Sequence, residues 1–198
     1  LVALNSNKKV LLIEQGKSVD KRVCPIEKTG KCIHCKPMCN ITCGFSGAGA
    51  FSDGKLSLYN KEDDDLHIGG ILHEYIGVDN TKDLIDYTDK IYLKFGADNH
   101  LEGTEYKEEV SKICKKAKKE NLTLIDIPIR HLGTEKSHEL YLKIQNYLLD
   151  HGVEIMFETA VKDLIVEDDI IKGVKVQSSM DYINGKEDTT TIYSDKVV

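Results

Sequence analysis

Lys9-Val10-Leu11-Leu12-Ile13-Glu14-Gln15-Gly16 sets the reading of this chain. A short continuous apolar run, rich in branched residues and ending in an acid and a glycine, reads as a buried strand. Some thirty residues later comes Gly44-Phe45-Ser46-Gly47-Ala48-Gly49-Ala50-Phe51-Ser52-Asp53-Gly54-Lys55-Leu56. Glycines alternate there with small residues, so the segment has little side chain to bury but can bring backbone N–H groups close to a ligand. Between the two lie five cysteines in twenty residues, Cys24, Cys32, Cys35, Cys39 and Cys43. A site is expected within residues 24–56.

Around that core the pattern is regular. Residues 17–43 lack periodicity. Three amphipathic helices are expected at about 81–95, 105–120 and 135–151. Thr81 would cap the first and Gly96 end it; Tyr106, Val110, Ile113 and Ala117 would form the inward face of the second; Gly152 would stop the third. Residues 153–157 read as a strand. Residues 164–166 and 170–176 flank a hairpin turn at Glu167-Asp168-Asp169. Asn184-Gly185 reads as a second turn, with Tyr182-Ile183 and residues 189–193 as its arms. The expected fold class is α/β, a partial Rossmann-like FAD/NAD(P)-binding domain with a β-meander, built from residues 1–58 and 131–198. A mostly helical insertion would occupy residues 59–130.

The 198 residues suffice for one good-sized domain. A net charge of −6 argues against nucleic acid as a partner. The basic run Lys112, Lys115, Lys116, Lys118 and Lys119 reads as the solvated face of a helix. No apolar run approaches the length of a membrane span, so no membrane partner is expected. Without a secretion signal, and with Cys-x-x-Cys spacing, a reducing, cytoplasmic setting is expected. The chain opens in what looks like a helix tail and closes inside a β-like run, so both ends look cut.

Glu14 is placed as the acid that ends a dinucleotide-fold strand and accepts hydrogen bonds from an adenosine ribose; a solvated strand end is the plainer alternative. The glycine-rich phosphate turn that should precede such an acid by about 20 residues lies before the first residue. The 44–56 loop is no ATP-hydrolysing phosphate loop. Gly49, Gly54 and Lys55 have the spacing, but Leu56 stands where a magnesium-binding hydroxyl is required.

Three stretches carry a resemblance. They are Val10 to Gly16, the Cys-x-x-Cys that follows, and Gly-Phe-Ser-Gly-Ala-Gly-Ala-Phe-Ser-Asp-Gly-Lys-Leu. Together they resemble the bacterial and archaeal FAD-dependent dehydrogenases of unassigned substrate, within the flavoproteins that share the glutathione-reductase-type FAD domain. The likeness continues through Gly133-Thr134-Glu135, the helix to His151, residues 152–161 and Ser194 to Val198. It implies a flavin-dependent oxidoreductase that transfers hydride through FAD, with an unknown small-molecule substrate and NAD(P)H or another electron donor. Glu14 matches the ribose acid. Gly47, Ala48 and Gly49 match the loop near pyrophosphate and flavin. Phe51, Ser52, Asp53 and Lys55 match the segment beside the ring, and Val161 the position whose backbone meets adenine.

The cysteines have three readings. Cys32, Cys35, Cys39 and Cys43, with Cys24 and His34 spare, could bind zinc or an iron–sulfur cluster, though the spacing fits neither standard pattern. Cys32 and Cys35 could be a redox dithiol, or all could be inert thiols. A non-enzymatic metal- or cluster-binding module is therefore the rival function. His67, His73, His131 and His138 are expected to be structural, Cys114 a packed small hydrophobe, and Glu62-Asp63-Asp64-Asp65 a solvated loop. Arg130 could face a carboxylate substrate.

Overall fold

A computed structural model describes residues 1–52, 54–59 and 71–198. Asp53, the acidic run Glu62 to Asp65, His67 and Gly69-Gly70 lie outside the described residues. In chain order the first elements are a 3₁₀ turn at Val2–Ser6, β1 (Leu11–Ile13), a 3₁₀ turn at Val19–Lys21, α1 (Ile26–Thr29) and a third 3₁₀ turn at Gly47–Phe51. Next come β2 (Lys55–Ser57), α2 (Leu72–Ile76), α3 (Val78–Phe95), α4 (Lys107–Lys119) and β3 (Ile129–His131). Then follow α5 (Thr134–Asp150), β4 (Glu154–Met156), β5 (Thr159–Glu167), β6 (Ile170–Ser178), α6 (Ser179–Ile183) and β7 (Thr190–Tyr193). The chain is mixed α/β with small sheets. It divides into two compact units, one of residues 1–51 and 141–198, the other of residues 52–140. The expected junctions at 58/59 and 130/131 lie inside the second of these.

In the first unit β1 pairs in parallel with β4, Leu12 opposite Ile155. β1 has only three residues, and Leu11 is exposed, so the expected buried strand is a half-exposed one. The apolar run fits burial on both faces, but among the described residues β1 has a strand on one side only. Ile144 and Leu148 of α5 are buried one turn apart, and Gly152 follows the helix at φ 81°. Burying each such side chain contributes about 1.5–3 kcal/mol.

β5, β6 and β7 form an antiparallel meander with Val174 and Val176 in its core. Asp168 and Asp169 both have positive φ, 50° and 60°, as a two-residue primed turn requires. The second expected hairpin is corrected. Tyr182 and Ile183 belong to α6, whose N-cap Ser178 accepts the Asp181 N–H. Asn184-Gly185 ends that helix, and β7 returns to β6 without a partner arm. Two residues at positive-φ-tolerant positions mark a chain reversal equally well after a helix or between strands.

In the second unit β2 and β3 pair antiparallel, Leu56 opposite Arg130. α3 starts earlier than expected. Gly77 precedes it, and Thr81 lies inside the helix, fully buried, its hydroxyl donating to the Gly77 carbonyl at 2.9 Å. Threonine hydroxyls serve such a back-bond as readily as a cap, so the residue type did not place the helix start. α4 forms where expected; Val110, Cys114 and Ala117 on its expected inward face are half-buried, Ile113 is 54% exposed, and Tyr106 just before the helix is 69% exposed.

Candidate functional site

The carboxyl ends of a parallel strand pair are where open α/β sheets place ligands. At that end β1 runs into Glu14, and the Glu14 N–H donates to the Met156 carbonyl at 2.9 Å. Thr159, which opens β5, donates its N–H to the Glu14 carbonyl at 3.0 Å. Glu14 Oε1 accepts the Gly16 N–H at 2.7 Å. Val161 lies two residues into β5 and is 44% exposed, beside a register irregularity between Val161 and Asp163. Irregularities of this kind re-aim backbone next to sites.

The glycine loop begins at the same place. The Phe45 N–H donates to the Lys17 carbonyl at 3.0 Å, and a Cβ on Gly16 would lie 2.5 Å from the Gly44 nitrogen. Only glycine permits that backbone approach. Gly47, Ala48, Gly49 and Phe51 form one 3₁₀ turn with a buried Ala50. Gly47 has φ 58° and nothing within 4 Å of its missing Cβ, while Gly49 faces the Tyr141 hydroxyl of α5. Ser52 and Lys55 belong to the second unit. Ser52 is exposed, and Lys55 is an exposed end of β2 opposite His131. Glu14, the start of the glycine loop at Gly44 and Phe45, and the start of β5 thus meet at one strand end, and the run from Gly47 to Lys55 is divided between the two units.

What holds the loop is Arg22, which carries no signal in the sequence. It is 1% exposed. Its Nε donates to the Asn40 carbonyl at 2.8 Å, Nη1 to Phe45 at 2.7 Å and Nη2 to Ile41 at 2.6 Å. Its guanidinium carbon stands 4.6 Å from the centre of the Phe51 ring. The planar fork suits several carbonyls at once, as an ammonium would not. Burial lowers the guanidinium's pKa, and Glu14, then Cys43 and Cys39, oppose that shift. A lone Arg in an aperiodic stretch can be found only from the partners the fold gives it.

The five cysteines are free thiols. Among the described residues no three His, Cys, Asp or Glu side chains are grouped to hold a metal ion. Cys32 and Cys39 are exposed, and Cys24, Cys35 and Cys43 are half-buried. N–H groups of Thr42 and Ile41 and the Thr42 hydroxyl hold Cys39 below the usual thiol pKa. Burial, followed by the Glu14 charge, pushes Cys43 above it. The Cys43 N–H donates to the Cys39 carbonyl at 2.9 Å, so the two stand one turn apart.

Arg130 does meet a carboxylate, but the chain's own. It is 4% exposed, and Asp89 takes both Nε and Nη2, the latter at 2.8 Å. Nη1 donates to the Asp98 carbonyl. The hydrogen bonds to Asp89 raise the guanidinium's pKa. The expectation of a substrate-facing Arg130 is therefore corrected: a bidentate pair at this burial uses up its fork. His131 is exposed, and His73 Nδ1 is buried without a hydrogen-bond partner in the described structure.

No protein-family model matches this chain, and no curated protein matches it. Among the described residues no helix is long and apolar enough to cross a membrane.

Proposed function

We propose that this chain supplies flavin-facing residues of an FAD-dependent oxidoreductase, with a Rossmann-like arrangement at the parallel strand pair. The observation that carries the reading is the meeting at one strand end of Glu14, the start of the glycine loop at Gly44 and Phe45, and the start of β5. Glu14 accepts one hydrogen bond among the described residues, and a carboxylate has acceptor capacity for ribose hydroxyls besides. Gly47 has open space on the side a Cβ would fill, which lets a phosphate or ring edge come close to the backbone. Ala48 and Gly49 extend that approach, the Val161 backbone serves adenine, and Phe51 follows toward the ring. When bound, FAD would take up and pass on the hydride of the substrate. The residues here bind and orient it, and Arg22 keeps the loop in place.

FAD titration of this chain, and of one extended at its N-terminus, tests the reading by flavin absorption and fluorescence. Saturable binding in either is expected. Glu14→Ala and Gly47→Val should each weaken it about tenfold or more, equivalent to about 1.4 kcal/mol. Absence of binding in both chains, or binding indifferent to both substitutions, refutes it.

A further inference from the structure

The fold holds two of the five clustered cysteines together. Residues 39–43 make one α-turn, in which the Cys43 N–H donates to the Cys39 carbonyl at 2.9 Å. Four residues along such a turn, Cα atoms stand about 6 Å apart and the side chains share one face. A disulfide spans Cα separations of roughly 4.4–6.8 Å. Arg22 clamps this turn. It donates to the carbonyls of Asn40 and Ile41 within it and of Phe45 just beyond it. Gly44 has φ 127° and lies against the arginine, where a Cβ would be 2.5 Å from Cδ. We propose that Cys39 and Cys43 are a redox-active dithiol that exchanges with low-molecular-weight disulfides, Cys39 as the attacking thiol and Cys43 as the resolving one.

The Cys-x-x-Cys pair lacks this closure. Among the described residues no backbone hydrogen bond joins Cys32 to Cys35, and the Cys32 sulfur accepts one N–H, from His34 at 3.4 Å. Access divides the roles within the Cys39–Cys43 pair. Cys39 is exposed, so a small disulfide reaches it first. Cys43 is half-buried and lines a tight cleft with Gly16, Lys17 and Glu158. The N–H groups of Thr42 and Ile41 at the Cys39 sulfur favour the thiolate, which is the attacking form. That thiolate attacks one sulfur of the small disulfide, giving a mixed disulfide on Cys39 and expelling one thiolate. Cys43 then gives up its proton to the expelled thiolate, and its sulfur attacks that of Cys39. The Cys39–Cys43 bond forms, and the second small thiolate leaves and takes a proton from water. Two protein thiols are oxidised, and one small disulfide is reduced to two thiols. A ring closed over residues 39–43 constrains the unfolded chain little, so the bond is a reversible one and not a structural staple.

The test incubates the reduced full chain, without added flavin and under nitrogen, with oxidised glutathione. Alkylation and mass spectrometry then map the remaining thiols. An intramolecular bond between Cys39 and Cys43, reversed by dithiothreitol, is expected. Cys43→Ser should stop the reaction at a glutathione adduct on Cys39. Cys39→Ser should slow oxidation of Cys43 about tenfold or more, because the accessible attacking thiol is gone. The triple variant Cys24→Ser/Cys32→Ser/Cys35→Ser should still form the bond. A bond joining Cys32 to Cys35 instead, a bond between two chains, a glutathione adduct on Cys39 that Cys43 does not release, or no oxidation at Cys39 overturns the proposal. None of these outcomes bears on flavin binding.

Discussion

Each unit of this chain buries one arginine, and the two are used in opposite ways. Arg130 sits against a carboxylate of its own unit, which makes the pair nearly neutral and the site structural. Arg22 donates to three main-chain carbonyls and an aromatic face, and no close ion pair is present for it among the described residues. Its charge is not cancelled at contact and is felt instead by Glu14, Cys43 and Cys39. A buried cation neutralised by one partner holds two elements together. A cation dispersed over backbone shapes a loop and leaves a field beside it.

The sharpest way to break the comparison is to remove each arginine. Arg22→Met strands three carbonyls, and at roughly 1–3 kcal/mol for each orphaned acceptor the first unit should lose more than about 3 kcal/mol. Denaturant unfolding and proteolysis within residues 40–51 would read the loss. Arg130→Met should cost roughly 3–5 kcal/mol by leaving Asp89 without its partner. Adding Asp89→Leu should recover much of that. No second substitution should rescue Arg22→Met, because its partners are backbone. Recovery in both cases, or in neither, would erase the distinction.

A smaller effect separates the two ends of the glycine loop. Gly16→Ala drives a Cβ to 2.5 Å from the Gly44 backbone, so it should destabilise the first unit by about 2 kcal/mol or more. Gly47→Ala meets nothing and carries only the strain of φ 58°, roughly 1 kcal/mol. Equal losses in thermal unfolding would mean that the loop is not pinned where Arg22 and Gly16 meet it.

The mildest test reads the loop's hydrogen bonds and burial through the thiols. A thiol with a depressed pKa becomes thiolate at lower pH, and one with a raised pKa only at higher pH. Alkylation by iodoacetamide, followed by mass spectrometry, should therefore label Cys39 first as pH is raised from acid and Cys43 last among the two. The reverse order would show that hydrogen bonds from Ile41 and Thr42 do not govern Cys39.

Much of the local structure was legible. Helices α3, α4 and α5 follow from apolar spacing, and the β5–β6 turn from two aspartates that tolerate positive φ. The misread parts share a cause. Thr81, Asn184-Gly185 and the Val10 to Glu14 run each suit two environments, and only neighbours choose between them. The inward face of α4 is half-buried at Val110 and Ala117 and exposed at Ile113, because a period says which residues align, not how far anything covers them.

The sequence by itself determined the three long helices and the β5–β6 turn and which residues could serve a nucleotide site, because those depend on spacing of a few residues and on backbone preferences. Only the tertiary structure decided that β1 pairs with β4, that Arg22 gathers the carbonyls of residues 40, 41 and 45, and that Arg130 finds Asp89. Those partners are joined by burial and charge across long stretches of chain, and no local period encodes them.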